Sequence, residues 1–320
     1  MKLLRLAPEN TRLGFMRFRR VSYPLSATLS IISVLMFLFV GMNFGIDFAG
    51  GTQVDMRANS GEVHMAELRA KADSLGLGPV EIQQIGSGGD VLLRLSVQPG
   101  GDSGEQKAIA KLRDAFSNDY AFRSVDSVGP TVSSELVQSG TLGVVVAIVA
   151  VLTYLWFRFE WQFAVGAIIG TMHDLLLTVG FFCVTQLEFN QTSIAAILTI
   201  VGYSLNETVV VLDRIREVMR KYKRLSTSEI IDMSVNAVLP RTIMTATTVF
   251  LALLALFFLG GHVIRSFSAA MIWGIFVATY SSIFICSPML IYMGVRADVF
   301  DRKDRDEGAG ATPADRKVKV

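Results

Sequence analysis

The chain has 320 residues, of which 51% are hydrophobic and only 18% charged, with a formal net charge of +2. That is the composition of a membrane protein rather than of a soluble core, and a total charge so close to zero carries no signal for nucleic acid or acidic partners. Cys183 and Cys286 each lie alone in an apolar run, so there is neither a disulfide framework nor a CxxC metal spacing.

Residues 1–20 carry Lys2, Arg5, Arg12, Arg17, Arg19 and Arg20 against one acid, Glu9. The apolar run over 24–44 that follows is about 20 residues long, enough to cross a ~30 Å hydrocarbon core. No Ala-x-Ala-like cleavage site follows it, so it reads as an uncleaved first span behind a cytoplasmic tail, 1–23.

Residues 45–138 form the long polar block. Thr52–Arg57 alternates like a strand, and Glu62–Leu75 has a helical rhythm with Val63, Leu68, Ala72 and Leu75 apolar. Val80–Ile85 and Val91–Val97 read as strands joined by a glycine-rich hairpin at 86–90. Glu105–Phe116 reads as a second helix and Ala121–Val128 as a fourth strand. The order βαββαβ predicts an α+β ferredoxin-like domain, and about 90 residues can bury a modest core. His64 stands alone on its helix and reads as a surface histidine. The block is acidic, with 13 Asp/Glu against 8 Lys/Arg between 45 and 137.

Further spans are expected at 139–157, 163–186, 191–212, 242–259 and 267–293, joined by short connections except for 213–241. That segment is polar with a helical middle and holds seven basic and four acidic residues. Lysine and arginine excess marks the cytoplasmic side. The tail and this loop therefore share that side, the acidic domain lies opposite, and six spans place both termini in the cytoplasm. Residues 294–320 read as a disordered cytoplasmic tail. The expected fold is an α-helical polytopic membrane protein with six transmembrane helices and one ferredoxin-like domain.

Four ionisable residues fall within or at the ends of spans: His173, Asp174, Glu207 and Arg241. An ionisable group at roughly mid-membrane costs several kcal/mol, so it marks a functional path by default. Tyr203, Glu207 and Val210 stack at i, i+4 and i+7 on a helix, with Ser204 and Thr208 beside them and Asn206 adding a polar atom. Glu207 reads as a proton-binding carboxylate, neutral in a low-dielectric site and charged beside a cation, and Arg241 is the cation that stays charged. A carboxylate trading between Arg241 and a proton is a minimal relay. A static ion pair that sets helix register is the structural alternative. Asp174 reads as a brace between helices or a further member of the relay. Gly166 and Gly170 match GxxxG and suggest close packing. His173 and Asp174 lack the second histidine of a zinc helix, and no Walker motif occurs, so neither a metal enzyme nor ATP as energy source is expected.

The segments Phe44-Gly45-Ile46-Asp47-Phe48-Ala49-Gly50-Gly51-Thr52, Ser127–Val132, His173-Asp174, Gly202–Thr208 through Asp213–Glu217, and Arg241-Thr242-Ile243 together resemble the SecD/SecF family of bacterial protein-export membrane proteins, within the resistance-nodulation-division (RND) superfamily. The resemblance covers nearly the whole chain. It implies a periplasmic domain after the first span and an inner-membrane location. It also implies no enzymatic activity and no bound cofactor, but coupling of late preprotein translocation to a proton or, as in some members, a sodium gradient. The partners it implies are a SecD-like subunit, the SecYEG channel, YajC, the translocating preprotein and membrane lipids, with no nucleic acid. The family's membrane acid falls on Glu207, where aspartate is commoner among members, and its arginine on Arg241. The motif residues Gly45, Asp47, Gly50 and Gly51 border the external domain. The other reading of the same architecture is an ion-driven RND-type exporter half for small molecules or lipids.

Overall fold

The computed structural model describes residues 11–85 and 88–295, apart from the side chains of Asp102, His262 and Val263. Part of the expected tail (1–10), two residues of the expected hairpin (86–87) and nearly all of the expected C-terminal tail (296–320) lie outside the described residues. After a 3₁₀ turn at Phe15–Phe18 the elements run α1 Arg19–Phe39, α2 Ile46–Ala49, β1 Gly51–Ala58, α3 Met65–Ser74, β2 Val80–Ile85, β3 Asp90–Leu95, α4 Asp102–Phe116, β4 Tyr120–Val128, α5 Pro130–Arg158, α6 Trp161–Thr185, α7 Gln191–Lys221, α8 Thr227–Leu259 and α9 Gly261–Ser281. A π-helical turn, Ser282–Cys286, and α10, Ser287–Tyr292, complete them. Among the described residues, six helices are long and apolar enough to cross a membrane. The chain is a multi-pass membrane protein with a small α+β domain.

The helices outrun the apolar runs that announce them. α5 starts at Pro130, where a missing N–H costs nothing, rather than at 139. α7 continues past Leu212 to Lys221. α8 starts far ahead of 242, at a capping box in which Ser226 accepts the Glu229 N–H and the Glu229 carboxylate accepts the Ser226 N–H. Hydropathy marks the stretch that can sit in lipid. Helix ends are set by capping, and the polar residues here cap well. The segment expected as a loop with a helical middle is therefore mostly the ends of two long helices. α8 also contains Pro240, which removes one backbone hydrogen bond just before Arg241.

Residues Asn43–Val145 and Glu188–Ile194 form one compact unit and the remaining helices another. In the first, the four strands lie in the order β2-β3-β1-β4, all neighbours antiparallel. This is the arrangement of a ferredoxin-like fold. Period-two alternation puts Val54 and Met56 of β1 and Val91, Leu93 and Leu95 of β3 on one face. There they pack with Leu68 and Ala72 of α3 and Leu112 and Phe116 of α4. β1 begins at a glycine pair with φ of 71° at Gly50 and 108° at Gly51, and a Cβ on Gly51 would strike the Leu95 carbonyl. Only glycine combines that backbone with that approach.

In the helical unit α6 is central. Its Gly166 and Gly170 bring the π turn close: a Cβ on Gly166 would lie 3.2 Å from the Cys286 carbonyl oxygen, and one on Gly170 3.5 Å from the Cys286 Cβ. A π turn loosens the helical hydrogen-bond ladder, and α1 supplies partners for its carbonyls. Ser22 Oγ donates to the Phe284 carbonyl at 3.1 Å and Tyr23 Oη to that of Ile285 at 2.7 Å. Much of α1 and α5 presents exposed apolar side chains, as lipid-facing helices do.

Candidate functional site

The glycine stripe of α6 continues, one turn on, into Asp174. Positions 166, 170 and 174 share a helix face, so the approach that the glycines permit also carries α9 to the carboxylate. Asp174 is 1% exposed. Its Oδ2 accepts from Ser204 Oγ of α7 at 2.5 Å and from Ser281 Oγ of α9 at 2.8 Å, and its Oδ1 lies 3.1 Å from His173 Nδ1. Asp174 thus ties three helices together, with Ser281 immediately before the π turn.

Glu207 lies about one turn beyond Ser204 on α7 and is 3% exposed. Its Oε2 accepts a hydrogen bond from Thr242 Oγ1 of α8 at 2.9 Å. Arg241, the expected cation of the relay, is exposed, and among the described residues it makes no ion pair or hydrogen bond with Glu207. The reason is helical geometry. Neighbouring residues on a helix point about 100° apart, so with Thr242 turned to Glu207 the guanidinium points aside.

Of the supporting residues, Ser204 and Thr208 are buried, His173 is buried beside Asp174, and Asn206 is exposed and stands outside the network. Among the described residues two buried polar atoms here have no hydrogen-bond partner: His173 Nε2 and Thr208 Oγ1. Unpaired buried polar atoms cost free energy and are acceptable where water or an ion enters. Thr242 and Ser281 escaped the sequence reading. Thr242 adjoins the arginine that drew attention, and Ser281-Ser282 interrupts a long apolar run, which was the available signal. Gly45, Asp47, Gly50 and Gly51 do not join the buried carboxylates, since they belong to the sheet-bearing unit. Among the described residues no group of three or more His, Cys, Asp or Glu side chains is placed to hold a metal ion.

Chemically, the site presents two buried carboxylates held by hydroxyls. Hydroxyl donors orient a carboxylate without neutralising it, so a proton or a monovalent cation is the natural counter-charge. Beyond them α7 is anchored at its far end, where Arg158 Nη2 lies 2.7 Å from Asp213 and Arg216 Nη2 2.5 Å from Glu160.

A family profile described as protein export membrane protein SecD/SecF, C-terminal, matches residues 107–296, and one described as the SecD/SecF GG motif matches residues 36–62. The chain is 42% identical over 297 residues to protein translocase subunit SecF of Rickettsia bellii (strain OSU 85-389), covering 90% of this chain and 95% of that one. It is 42% identical over 301 residues to protein translocase subunit SecDF of Brucella abortus, covering 94% of this chain but only 40% of the relative. Among solved structures, the crystal structure of SecDF from Thermus thermophilus, a translocon-associated membrane protein, matches with a TM-score of 0.81 and 34% identity, covering 90% of this chain and 40% of that one. The chain therefore spans nearly all of a SecF and less than half of a SecDF.

Proposed function

Because the chain belongs to the SecD/SecF family of protein export membrane proteins, we propose that it is an accessory subunit of the Sec preprotein translocase and, with a SecD-like partner, uses the proton motive force to complete translocation. The observation that carries the ion-driven part is the pair of buried carboxylates, Asp174 and Glu207, bonded by serine and threonine hydroxyls and, among the described residues, paired with no lysine or arginine. A charge moved across the membrane is worth about 2.3 kcal/mol per 100 mV, comparable to the gap between two conformations of a helix bundle. Arg241, exposed beside Thr242, is the cation that would meet Glu207 after a modest rotation of α8, and Pro240 is the point where that helix bends most easily. The SecD-like partner is supported by the SecDF relatives, which join a region like this one to a longer one in a single polypeptide.

In this reading the protein lies in the bacterial inner membrane with both termini cytoplasmic. The sheet domain faces the periplasm, and the SecYEG channel, YajC and the translocating preprotein are neighbours. Its role is transport, not catalysis. The test is export of a preprotein in cells whose own copy is replaced. Glu207→Gln keeps the shape but cannot titrate, and export should collapse to the level of the deletion. Glu207→Asp should retain part of it. Full export by Glu207→Gln would overturn the ion-driven reading.

A further inference from the structure

The motif that borders the sheet domain has no part in the buried carboxylate pair, yet it makes the most closely knit polar junction of its unit. Three segments meet there: residues 43–50, Arg94 on β3, and residues 188–193 leading into α7. Arg94 Nη2 lies 3.1 Å from Glu188 Oε2, with the two side chains only 12% and 10% exposed. Arg94 Nη1 donates to Asn43 Oδ1 at 3.0 Å and to the Phe44 carbonyl at 3.2 Å. The backbone closes the junction, with Gly45 N–H donating to the Phe189 carbonyl at 2.9 Å and Phe189 N–H to that of Asn43 at 2.7 Å. The rings of Phe44, Phe48 and Phe189 pack against one another. A Cβ on Gly45 would collide with the Glu188 carboxylate, so the motif's first glycine makes room for this ion pair.

Asp47 then reaches the helix. Its Oδ2 accepts the Gln191 N–H, the first of α7, at 2.9 Å, while Asn190 Oδ1 accepts the Ser193 N–H at 3.2 Å. The first N–H groups of a helix have no partner of their own, and a carboxylate there also meets the positive end of the helix dipole. Asn190 caps α7 locally, and the helix's first N–H is held by a residue of the sheet domain's entry motif. Glu207 lies on the same helix, further along the chain.

We propose that Asp47, together with the Arg94–Glu188 pair, is a coupling clamp: it fixes the start of α7 to the sheet domain, so that movement of the domain and the setting of Glu207 are linked through one helix. Asp47 is a positioning residue for Glu207, not a member of the relay. The inference rests on the ion-driven reading of Glu207.

The test uses the full chain with its SecD-like partner in cells lacking the chromosomal copy. It reads preprotein export, and the rate at which a hydrophobic carbodiimide labels Glu207 in membranes from the same cells. Removing one hydrogen bond from the start of a helix shifts the balance of clamped and unclamped states about fivefold, the equivalent of ~1 kcal/mol. Asp47→Ala at wild-type abundance should slow export by about that factor and alter Glu207 labelling to a similar extent. Asp47→Asn, which keeps a side-chain oxygen to accept the Gln191 N–H, should restore most of both. Glu188→Ala, which takes the carboxylate from Arg94 Nη2, should impair both readouts, and Glu188→Asp should retain part of each. The clamp is refuted by wild-type export in Asp47→Ala, or by export that falls only in step with abundance while labelling stays unchanged. Should Asp47→Ala fail to accumulate, Glu188→Ala decides: impairment of both readouts at wild-type abundance sustains the clamp, and wild-type values of both remove it. Glu207→Gln run in parallel separates the two readings. If it exports normally, the ion-driven reading fails. If it is inactive while Asp47→Ala behaves as wild type, only the clamp fails.

Discussion

Thr242→Val isolates the one side-chain hydrogen bond that holds Glu207 among the described residues. Thr242 is buried, and its Oγ1 is the donor that the structure gives Glu207 Oε2, at 2.9 Å. Valine keeps the β-branched shape, so packing between α7 and α8 should survive while the donor is lost. A hydrogen bond to a charged group contributes about 1.5–3 kcal/mol. If the bond is made in the state that limits turnover, its loss slows the cycle roughly ten- to hundredfold, at about 1.4 kcal/mol per factor of ten. Thr242→Ser restores the hydroxyl and should recover most of the rate. The assay is a pulse-chase of preprotein release in cells carrying each variant at matched membrane levels. Wild-type release by Thr242→Val, alongside an inactive Glu207→Gln, would refute the assignment of Thr242 as the residue that holds the carboxylate.

Arg241→Ala should lose most export, and Arg241→Lys should keep part, because a positive charge near Glu207 matters more than the fork of the guanidinium if the two meet only transiently; equal loss in both variants would argue for a fixed bidentate contact. Tyr23→Phe removes the donor to the Ile285 carbonyl at the π turn and should cost about 1 kcal/mol, seen as a lower melting temperature of the purified protein in detergent. An unchanged melting temperature would mean that the π turn does not depend on α1. Gly51→Ala places a Cβ against the Leu95 carbonyl on a backbone with φ of 108° and should destabilise the sheet domain by about 1–3 kcal/mol or more. Limited proteolysis would show this as faster cleavage within residues 51–128, and wild-type resistance would contradict the packing described for β1. Phe116→Ala empties the centre of the same core and should cost about 3–5 kcal/mol, read by the same proteolysis assay.

Much of the architecture was legible because it depends on patterns that repeat along the chain. Each span announced itself by length and apolarity, and the βαββαβ order by alternation in β1, by the glycine-rich hairpin signal between β2 and β3 and by helical spacing at Leu68 and Ala72. The helix ends were not, because capping by Ser226 and Glu229, or by Pro130, leaves no mark in hydropathy. The candidate site was half legible. Glu207 and Asp174 stood out as charges in apolar runs, Ser204 as a polar neighbour of Glu207, and the GxxxG match of α6 announced close packing in the span of Asp174. Two partners were hidden. Serine and threonine are unremarkable in membrane helices, so little distinguished Ser281 and Thr242 from residues that bond back to their own helix, as Thr245 does to the Arg241 carbonyl. Arg241 drew the pairing by charge, and one helical step of about 100° gave it to Thr242.

The sequence by itself determined that this protein spans a membrane six times, carries a small α+β domain after the first span, and keeps two carboxylates where lipid would reject them. Those properties depend on local composition and on the period of the chain, which are written residue by residue. Only the tertiary structure decided what the carboxylates face, that Ser281, just before the π turn of the last span, reaches Asp174, and that Asp47 holds the first N–H of a helix that starts at Gln191, 144 positions further along the chain. Such contacts depend on which faces of separate helices meet and at what rotation. The packing of the whole chain sets that rotation, and no single segment encodes it.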